Sequence, residues 1–289
     1  LIVNGGTFEV GSASGGVIVK GNTTIASGAT LDGNQATLQN EGNMVNNGSV
    51  LSSETTTANS RINFIGTTIP QTLSGTGSFT GRVSSLGVSN PAGLTIYTPV
   101  LVQRVNLFTG LITGSSNITI GTGLALPGVV QIGAVANTTP GGNFDGLPTL
   151  NLGTGTYTIL YSGETTPRIT GFEIPSTRSI NTLILDNTNG LTIAGGTIEV
   201  LNGLTLTNGI VTSTLANHII HGSATASGTL TGGSASSYIN GPIVRTISDA
   251  NAATNYILYP VGKAGVYAPI SLAPTTTSAS KFRAEAFDT

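Results

Sequence analysis

The stretch LILDNTNGLTIAGG, Leu183–Gly196, decides the fold because the chain contains it in two versions. It consists of an apolar run, an Asn/Thr/Gly turn, a second short apolar run and two glycines. The earlier version is LGVSNPAGLTIYTP, Leu86–Pro99, which keeps the same order of apolar runs and turn. A sequence that returns to one pattern of short strands and turns is typical of a structure that repeats.

The repetition extends beyond these two stretches. Aligning NPAGLTI with NTNGLTI matches Leu94 to Leu191, and the downstream segment TGLITG aligns with NGIVTS. We therefore predict an internal repeat over about residues 84–122 and 181–223. Small differences in spacing between the copies fall in turns, where a stacked structure tolerates them.

Short alternating runs indicate β-strands throughout the chain. Examples are Val17–Val19, Ile198–Val200 and Leu204–Leu206, in which the first and third side chains share one face of a strand. Gly and Asn interrupt the chain too often for a long helix. Strands of about three to five residues joined by tight turns predict an all-β fold, a parallel β-solenoid (parallel β-helix), in which each strand pairs with the strand one turn above. A β-sandwich is the alternative and would require longer strands.

The aliphatic residues of these runs are expected to fill the interior of the solenoid. The predicted core contains Val19, Ile25, Leu94, Ile96, Leu191, Ile193, Leu204 and Leu206. Asn40 and Asn47 are candidates for stacked amide ladders, which satisfy polar groups inside repeating strands. An ordinary role of these two asparagines in turns is the alternative.

The C-terminal part of the chain has a different composition. Beyond Gly232 and Gly233, tyrosines and prolines are concentrated and the apolar runs lengthen, as in NYILYPV. We predict a β-solenoid over residues 1–237 and a separate antiparallel β-module or cap over residues 238–289. Because the chain stops in the middle of a strand pattern, we expect this module to be incomplete.

Composition limits the classes of partner. Charged residues make up 8% of the 289 residues, against about 25% in ordinary soluble domains, and the net charge is −2. Lys and Arg are scattered rather than clustered, so nucleic acid is not expected as a partner. No apolar run approaches the roughly 18 residues of a spanning helix, so we expect no membrane insertion. The chain has no cysteine, which excludes disulfides and thiolate chemistry.

Residues suited to catalysis or metal binding are dispersed along the chain. The 12 acidic residues show no clustering, and Glu173 with Asp186 or Glu199 is a conceivable glycosidase pair that no spacing singles out. His218 and His221 have no acidic residue or cysteine beside them in the sequence, so a metal site is not expected. We therefore predict no enzyme activity, no metal and no cofactor.

A threonine-rich segment is the candidate binding surface. Thr205, Thr207, Thr212 and Thr214 would form an outward row of hydroxyls able to order water or to bind polysaccharide. The alternative is that outward threonine is simply a favourable strand residue where charge is scarce.

Three later segments carry a resemblance to a known group of proteins. They are NGLTIAGGTIEVLNGLTLTNGIVTS, GGSASSYINGPIVRTI and YILYPVGKAGVYAPISLA. In this order they resemble the large secreted and cell-surface solenoid proteins of Bacteroidota, and the resemblance extends from about Ser84 to the end of the chain. It implies an extracellular, cell-surface location, export by the type IX secretion route and an adhesin-like or fibre-forming role.

Three hypotheses of different classes follow. The leading one is a structural or adhesive surface segment, a rigid repetitive stalk or fibre component. Its partners would be surface glycans, neighbouring copies of itself, or the secretion and surface-anchoring machinery. The second is a carbohydrate-active β-helix enzyme, a lyase or a glycosidase, which carboxylates clustered in a groove would favour. The third is an ice- or glycan-binding solenoid, which threonines in register across turns would favour.

Overall fold

A computed structural model shows an all-β protein. About 53% of the residues are in strands and about 1% in helix, and the strands form a parallel β-solenoid of about 10 turns with some antiparallel strands. The predicted fold class is therefore confirmed. The structure describes residues 1–11, 16–34, 36–52, 60–81, 83–121, 123, 126–134, 140–248, 256–273 and 278–288.

Two compact units divide the chain. Unit 1 comprises Leu1–Gly133 and Thr139–Thr156, and unit 2 comprises Ala134–Thr138 and Tyr157–Thr289. No helix within the described ranges has the length and hydropathy needed to cross a bilayer.

Short strands joined by tight turns make up unit 1. They are β1 (Ile2–Val3), β2 (Thr7–Glu9), β3 (Gly16–Val19), β4 (Thr23–Ile25), β5 (Thr30–Asp32), β6 (Thr37–Asn40), β7 (Met44–Asn46), β8 (Ser49–Ser52), β9 (Arg61–Phe64), β10 (Gln71–Ser74), β11 (Ser78–Gly81), β12 (Val83–Ser89), β13 (Leu94–Ile96), β14 (Val100–Thr113), β15 (Ile118–Ile120), β16 (Gly128–Ile132), β17 (Gly141–Phe144) and β18 (Thr149–Leu150). A 3-10 turn, Ser115–Asn117, precedes β15.

The core of unit 1 is built from columns of apolar side chains. One column contains, in parallel register across β6, β9, β12, β14 and β16, the residues Leu38, Ile62, Leu86, Val105 and Val130. All five are buried. Because successive side chains of a strand point to opposite faces, the same register also stacks the positions between them into columns on the outer surface.

The strands of unit 2 begin with the same short pattern and end with antiparallel pairs. They are β19 (Tyr157–Tyr161), β20 (Arg168–Ile169), β21 (Ser179–Asp186), β22 (Leu191–Thr192), β23 (Ile198–Asn208), β24 (Val211–Thr212), β25 (Ile219–His221), β26 (Thr229–Gly232), β27 (Ile239–Asn240), β28 (Ile243–Ile247), β29 (Ile257–Tyr259), β30 (Val261–Lys263), β31 (Val266–Tyr267), β32 (Ile270–Leu272) and β33 (Ser280–Ala284).

Columns of apolar side chains also build the core of unit 2. Parallel pairing aligns Ile159, Leu183 and Leu204 in one column, and Leu191, Val211, Ile239 and Val261 in another. All of these residues are buried. The eight predicted core residues of the two units are buried as well, with exposed fractions no higher than the 7% of Val19, so that prediction is confirmed.

Two strands are longer than the sequence pattern predicts. β14 has 14 residues and β23 has 11. The backbone of β14 stays extended through successive corners, so that its segments pair in turn with β15, β16 and β17. Register shifts in the β12–β14 and β21–β23 pairs mark irregular positions at which the side-chain alternation resets. Apolar alternation alone does not show that a strand continues past such a point.

The repeated Asn-x-x-Gly turn has the same hydrogen bonding in both units. The Asn90 side chain accepts a hydrogen bond from the Ala92 amide at 2.9 Å. The Asn187 side chain accepts the equivalent bond from the Asn189 amide at 3.2 Å. Both asparagines are fully buried, so the side-chain bond replaces solvent for a polar group at the corner of the solenoid.

A glycine of the next turn packs against each of these asparagines. Gly110 and Gly209 have φ of 82° and 95°, in the left-handed region. A Cβ at Gly110 would lie 2.0 Å from the Asn90 carbonyl oxygen, and a Cβ at Gly209 would lie 1.8 Å from that of Asn187. The corner therefore requires glycine for its backbone conformation and for the close approach of the two turns.

The side chains of Asn40 and Asn47, the candidates for a stacked amide ladder, form hydrogen bonds to threonine and glycine groups instead. Asn40 accepts a hydrogen bond from the Thr23 hydroxyl at 2.6 Å and donates to the Gly42 carbonyl at 2.6 Å. The Asn47 side chain accepts a hydrogen bond from the Thr76 amide at 3.2 Å. The alternative interpretation, that these asparagines organise turns, agrees better with these contacts.

The predicted C-terminal module contains the antiparallel strands, but parallel pairing also enters it. β25 pairs in parallel with β28, and β27 with β30. Antiparallel pairing joins β28 to β33, β29 to β32 and β30 to β31. The solenoid ladder thus continues past residue 237, and antiparallel pairing begins within residues 238–289. The boundary of a separate module stays a prediction.

Replacing a corner glycine should destabilise the protein strongly. We expect Gly110→Ala to lower the free energy of unfolding by at least about 2 kcal/mol, because the new Cβ collides with the Asn90 carbonyl and the backbone is strained. Gly146→Ala is the control, since no atom lies within 4 Å of its Cβ position. It should change stability by less than about 1 kcal/mol. Equal melting temperatures of the two variants would contradict the assigned role of Gly110.

Candidate functional site

The four threonines of the predicted hydroxyl row lie on different parts of unit 2. Thr205 and Thr207 belong to β23, which pairs with β21 and β26. Thr212 belongs to β24, which is in a different sheet, and Thr214 lies in the turn that follows. The structure therefore does not bring the four into the single row that the sequence predicted. Whether any of them binds a glycan stays a prediction.

The three carboxylates considered for a glycosidase pair do not meet. Asp186 lies at the end of β21, where its carboxylate accepts a hydrogen bond from the side-chain amide of Asn208 at 2.7 Å. Glu199 lies near the other end of the same strand pair, 3.7 Å from the Lys281 ammonium. Glu173 is buried in a separate cluster.

That cluster joins Glu173 to two residues that sequence reasoning missed, Glu164 and Arg168. The exposed fractions of Glu164, Arg168 and Glu173 are 0%, 5% and 2%. The Arg168 guanidinium lies 3.8 Å from the Glu164 carboxylate and 3.9 Å from that of Glu173. Within the described residues, neither carboxylate oxygen of Glu164 has a hydrogen-bond partner. The Glu-x-x-x-Arg spacing in GETTPR was the available clue, because it places opposite charges near each other in one loop.

Two tyrosines fix the position of Glu173. The Tyr161 hydroxyl donates to Glu173 Oε1 at 2.7 Å, and the Tyr157 hydroxyl donates to the Glu173 carbonyl at 2.9 Å. Burial raises the pKa of Tyr161 well above its usual value, and the nearby Glu173 charge adds to this, so Tyr161 remains a donor. Because the cluster is closed to solvent, it is suited to holding a loop in place rather than to contacting a polysaccharide.

The two histidines have separate, local partners. His221 is fully buried, and its Nε2 donates to the Asn202 carbonyl at 3.0 Å. Burial lowers the pKa of His221 to about 4, and Arg245 adds to this, so the ring is neutral near neutral pH. Nδ1 of His218 lies 3.1 Å from the carbonyl oxygen of Leu215. Nowhere in the described part of the chain do three or more His, Asp or Glu residues come together in an arrangement able to hold a metal ion.

A polar groove on the outer face of unit 1 is the first candidate site, and we call it the arginine groove. It has a volume of about 380 Å³ and is lined by Arg61, Ser85, Gln103, Arg104, Asn106, Phe108, Val129 and Gln131. The parallel register of β9, β12 and β14 places Arg61, Ser85 and Arg104 in one column. A second column brings Asn106 beside Gln131. Strands distant in sequence therefore supply one continuous surface.

A hydrogen-bond network orients the inner arginine of this groove. Arg104 Nε donates to Asn106 Oδ1 at 2.7 Å, and Arg104 Nη2 donates to Gln131 Oε1. Asn106 Nδ2 in turn donates to the Ser85 hydroxyl at 2.6 Å. Burial lowers the pKa of Arg104 from its ordinary value, and the positive charge of Arg61 lowers it further. The two arginines thus lie close enough to repel each other.

A second, shallower groove of unit 1 contains exposed aromatic surface, and we call it the aromatic groove. It has a volume of about 510 Å³, and its lining includes Phe79, Tyr97, Thr98, Leu101 and Thr119. The Tyr97 side chain is 68% exposed. An exposed aromatic ring with hydroxyl groups beside it offers both an apolar face and hydrogen-bonding partners to a ligand.

Comparison with known proteins found no matching family model, no matching curated protein and no matching solved structure. Function must therefore be inferred from the residues and geometry of this chain.

Glu164→Gln should remove a pH-dependent loss of stability. Burial raises the pKa of Glu164 from 4.5 to about 7, with Glu173 adding to the effect and Arg168 opposing it. Since the folded state holds this proton more tightly than the unfolded state, stability falls as the pH rises from about 4.5 to about 7. We expect the wild type to lose up to about 3 kcal/mol of unfolding free energy over this range, and the variant to lose much less.

Chemical denaturation at a series of pH values measures this difference. Glu199→Gln is the matched control, because Glu199 is an acidic residue with a side chain that is 45% exposed. It should keep the wild-type pH dependence. A wild type whose unfolding free energy rises between these pH values, or a Glu164→Gln variant with an unchanged slope, would contradict the assignment.

Proposed function

We propose that this chain is a structural and adhesive segment of an extracellular, cell-surface protein. The parallel solenoid acts as a repetitive stalk, and its outer faces contact surface glycans. The observation that carries the proposal is the aromatic groove, where Tyr97 is 68% exposed beside threonine hydroxyls. Large exposed aromatic side chains on a weakly charged surface favour an interaction site.

The distribution of carboxylates favours binding over catalysis. Among the described residues, neither groove has an acidic side chain in its lining, whereas a glycosidase needs a pair of carboxylates at the scissile bond. The buried pair Glu164 and Glu173 is closed to solvent and lies against Arg168. The sequence resemblance to surface proteins of Bacteroidota supports the same proposal, including export by the type IX route.

The solenoid architecture supports the structural part of the proposal. Each turn pairs its backbone with the turns above and below it, and weak contacts repeated along such an array add up to high avidity. The few charges of the outer surface offer little repulsion to neighbouring copies of the chain, so side-by-side association into a fibre is part of the proposal.

Binding of the purified chain to a panel of insoluble neutral polysaccharides tests the adhesive function. We expect retention on at least one polysaccharide and an affinity about tenfold lower for Tyr97→Ala, because about 1.4 kcal/mol of ring contact is lost. Tyr256→Ala is the matched control, since Tyr256 is 70% exposed and lies in unit 2. Its affinity should equal that of the wild type.

The same samples test the enzymatic alternative. Incubation with each polysaccharide should release no reducing ends and no unsaturated sugars. Turnover that a single Glu→Gln or Asp→Asn substitution abolishes would replace the proposed function with an enzymatic one. Retention on no polysaccharide, or equal loss of affinity in the Tyr97 and Tyr256 variants, would contradict the adhesive proposal.

A further inference from the structure

The arginine groove holds two cations that have no acidic partner among the described residues. Arg61 is exposed and Arg104 is half-buried, and no carboxylate is among the described residues that line the groove. Within the described residues, the ion pairs of unit 1 do not involve either arginine. Like charges brought together in a partly desolvated surface repel each other, and anionic groups bound to both arginines would relieve that repulsion.

The inner arginine is already oriented for a ligand. Two of its five N–H donors are occupied by Asn106 and Gln131, which leaves the Nη1 side of the guanidinium available. Asn106 and Gln131 are themselves 9% and 8% exposed, so they form the floor of the groove. An arginine held in this way loses little conformational entropy when it binds a carboxylate or sulfate group.

The direction and spacing of the groove favour an extended ligand. Arg61 and Arg104 occupy one column with Ser85 between them, so their backbones are separated by two strand spacings, roughly 10 Å. The column continues to Val129 in the next turn. An acidic polysaccharide lying across the strands carries anionic groups at regular intervals along its length, whereas a single small anion would occupy one arginine.

We propose that the arginine groove binds an acidic polysaccharide, whose carboxylate or sulfate groups contact Arg104 and Arg61 while its hydroxyls contact the amides of the groove floor. Phe108 and Val129 supply the apolar part of the lining against which sugar rings pack. This site differs from the aromatic groove in its residues and in the chemistry of its ligand, and it rests on the proposed function only in that both sites bind glycans. The two sites are testable independently.

The charge of the whole chain favours an acidic polysaccharide over nucleic acid. Ten Lys and Arg are outnumbered by 12 Asp and Glu, and the net charge is −2, so the chain as a whole has no excess of positive charge. Nucleic acid carries a dense line of phosphates and binds to extended basic surfaces. Two arginines flanked by neutral amides and hydroxyls fit a polymer with fewer charges and many hydroxyls.

Calorimetry with the purified chain and soluble polymers tests the proposal. The probes are polygalacturonate for carboxylates, dextran sulfate for sulfates, uncharged dextran as the neutral polymer, and single-stranded DNA. We expect binding to polygalacturonate or dextran sulfate that weakens with added salt, and weaker or no binding to dextran and DNA. Which of the two acidic polymers binds identifies the anionic group.

Substitutions locate the site. Arg104→Gln should lower the affinity for the acidic polymer by about 10- to 100-fold, the effect of losing a charged hydrogen bond, and Arg61→Gln should lower it less. Arg283→Gln removes the same charge from an exposed arginine of β33 and should leave affinity unchanged. Arg61 is exposed, so its variant keeps the test valid if the Arg104 variant fails to fold.

Four outcomes would overturn the proposal, and the first three concern the choice of polymer and the Arg61 variant. They are equal affinity for dextran and the acidic polymers, tighter binding of DNA than of either acidic polymer, and an Arg61→Gln variant that binds as the wild type does while remaining folded by thermal denaturation. Loss of acidic-polymer binding in Arg283→Gln to the same extent as in Arg104→Gln would also overturn it, because net charge alone would then explain the effect. None of these results depends on binding at Tyr97.

Discussion

The solenoid depends on the close approach of corner glycines to carbonyl oxygens of the previous turn. A Cβ at Gly75 would lie 2.0 Å from the Asn46 carbonyl oxygen, which is the relation that Gly110 and Gly209 have to their own asparagines. A side chain at these positions would separate the two turns and break the backbone ladder beside the corner. The sequence repeats Asn and Gly at related positions because each turn must accept the next one at this distance.

Arg168, Arg245 and Arg104 have contrasting environments. Arg168 is buried beside two carboxylates, and Arg245 is buried with its guanidinium donating to the Leu258 and Ser227 carbonyls. In both cases oxygen acceptors stabilise an internal cation. Arg104 differs, because side-chain amides orient it at the edge of an open groove. The open groove beside Arg104 is therefore what distinguishes this arginine from the two internal ones and supports the proposal of a ligand site there.

Local patterns predicted the fold better than they predicted the surface. The inward positions follow from apolar alternation within each strand, so all eight predicted core residues are buried. The four threonines of the predicted row are divided between two sheets, because the chain leaves one sheet after Asn208 and enters another at Val211. Composition does not distinguish such a corner from a continuing strand. The arginine groove was missed because Arg61 and Arg104 become neighbours only through the register of three turns, which a single sequence does not specify.

The adhesion proposed for the two grooves of unit 1 would depend on two different physical interactions. Contact at the exposed ring of Tyr97 is driven by apolar burial and dispersion, which salt affects little. Contact at Arg61 and Arg104 is electrostatic and weakens as ionic strength rises. On a surface that carries many copies of the chain, avidity would strengthen both of these weak interactions. Such a surface would retain neutral glycans in high salt and would bind acidic polysaccharides selectively when the ionic strength is low, because only the second interaction is screened.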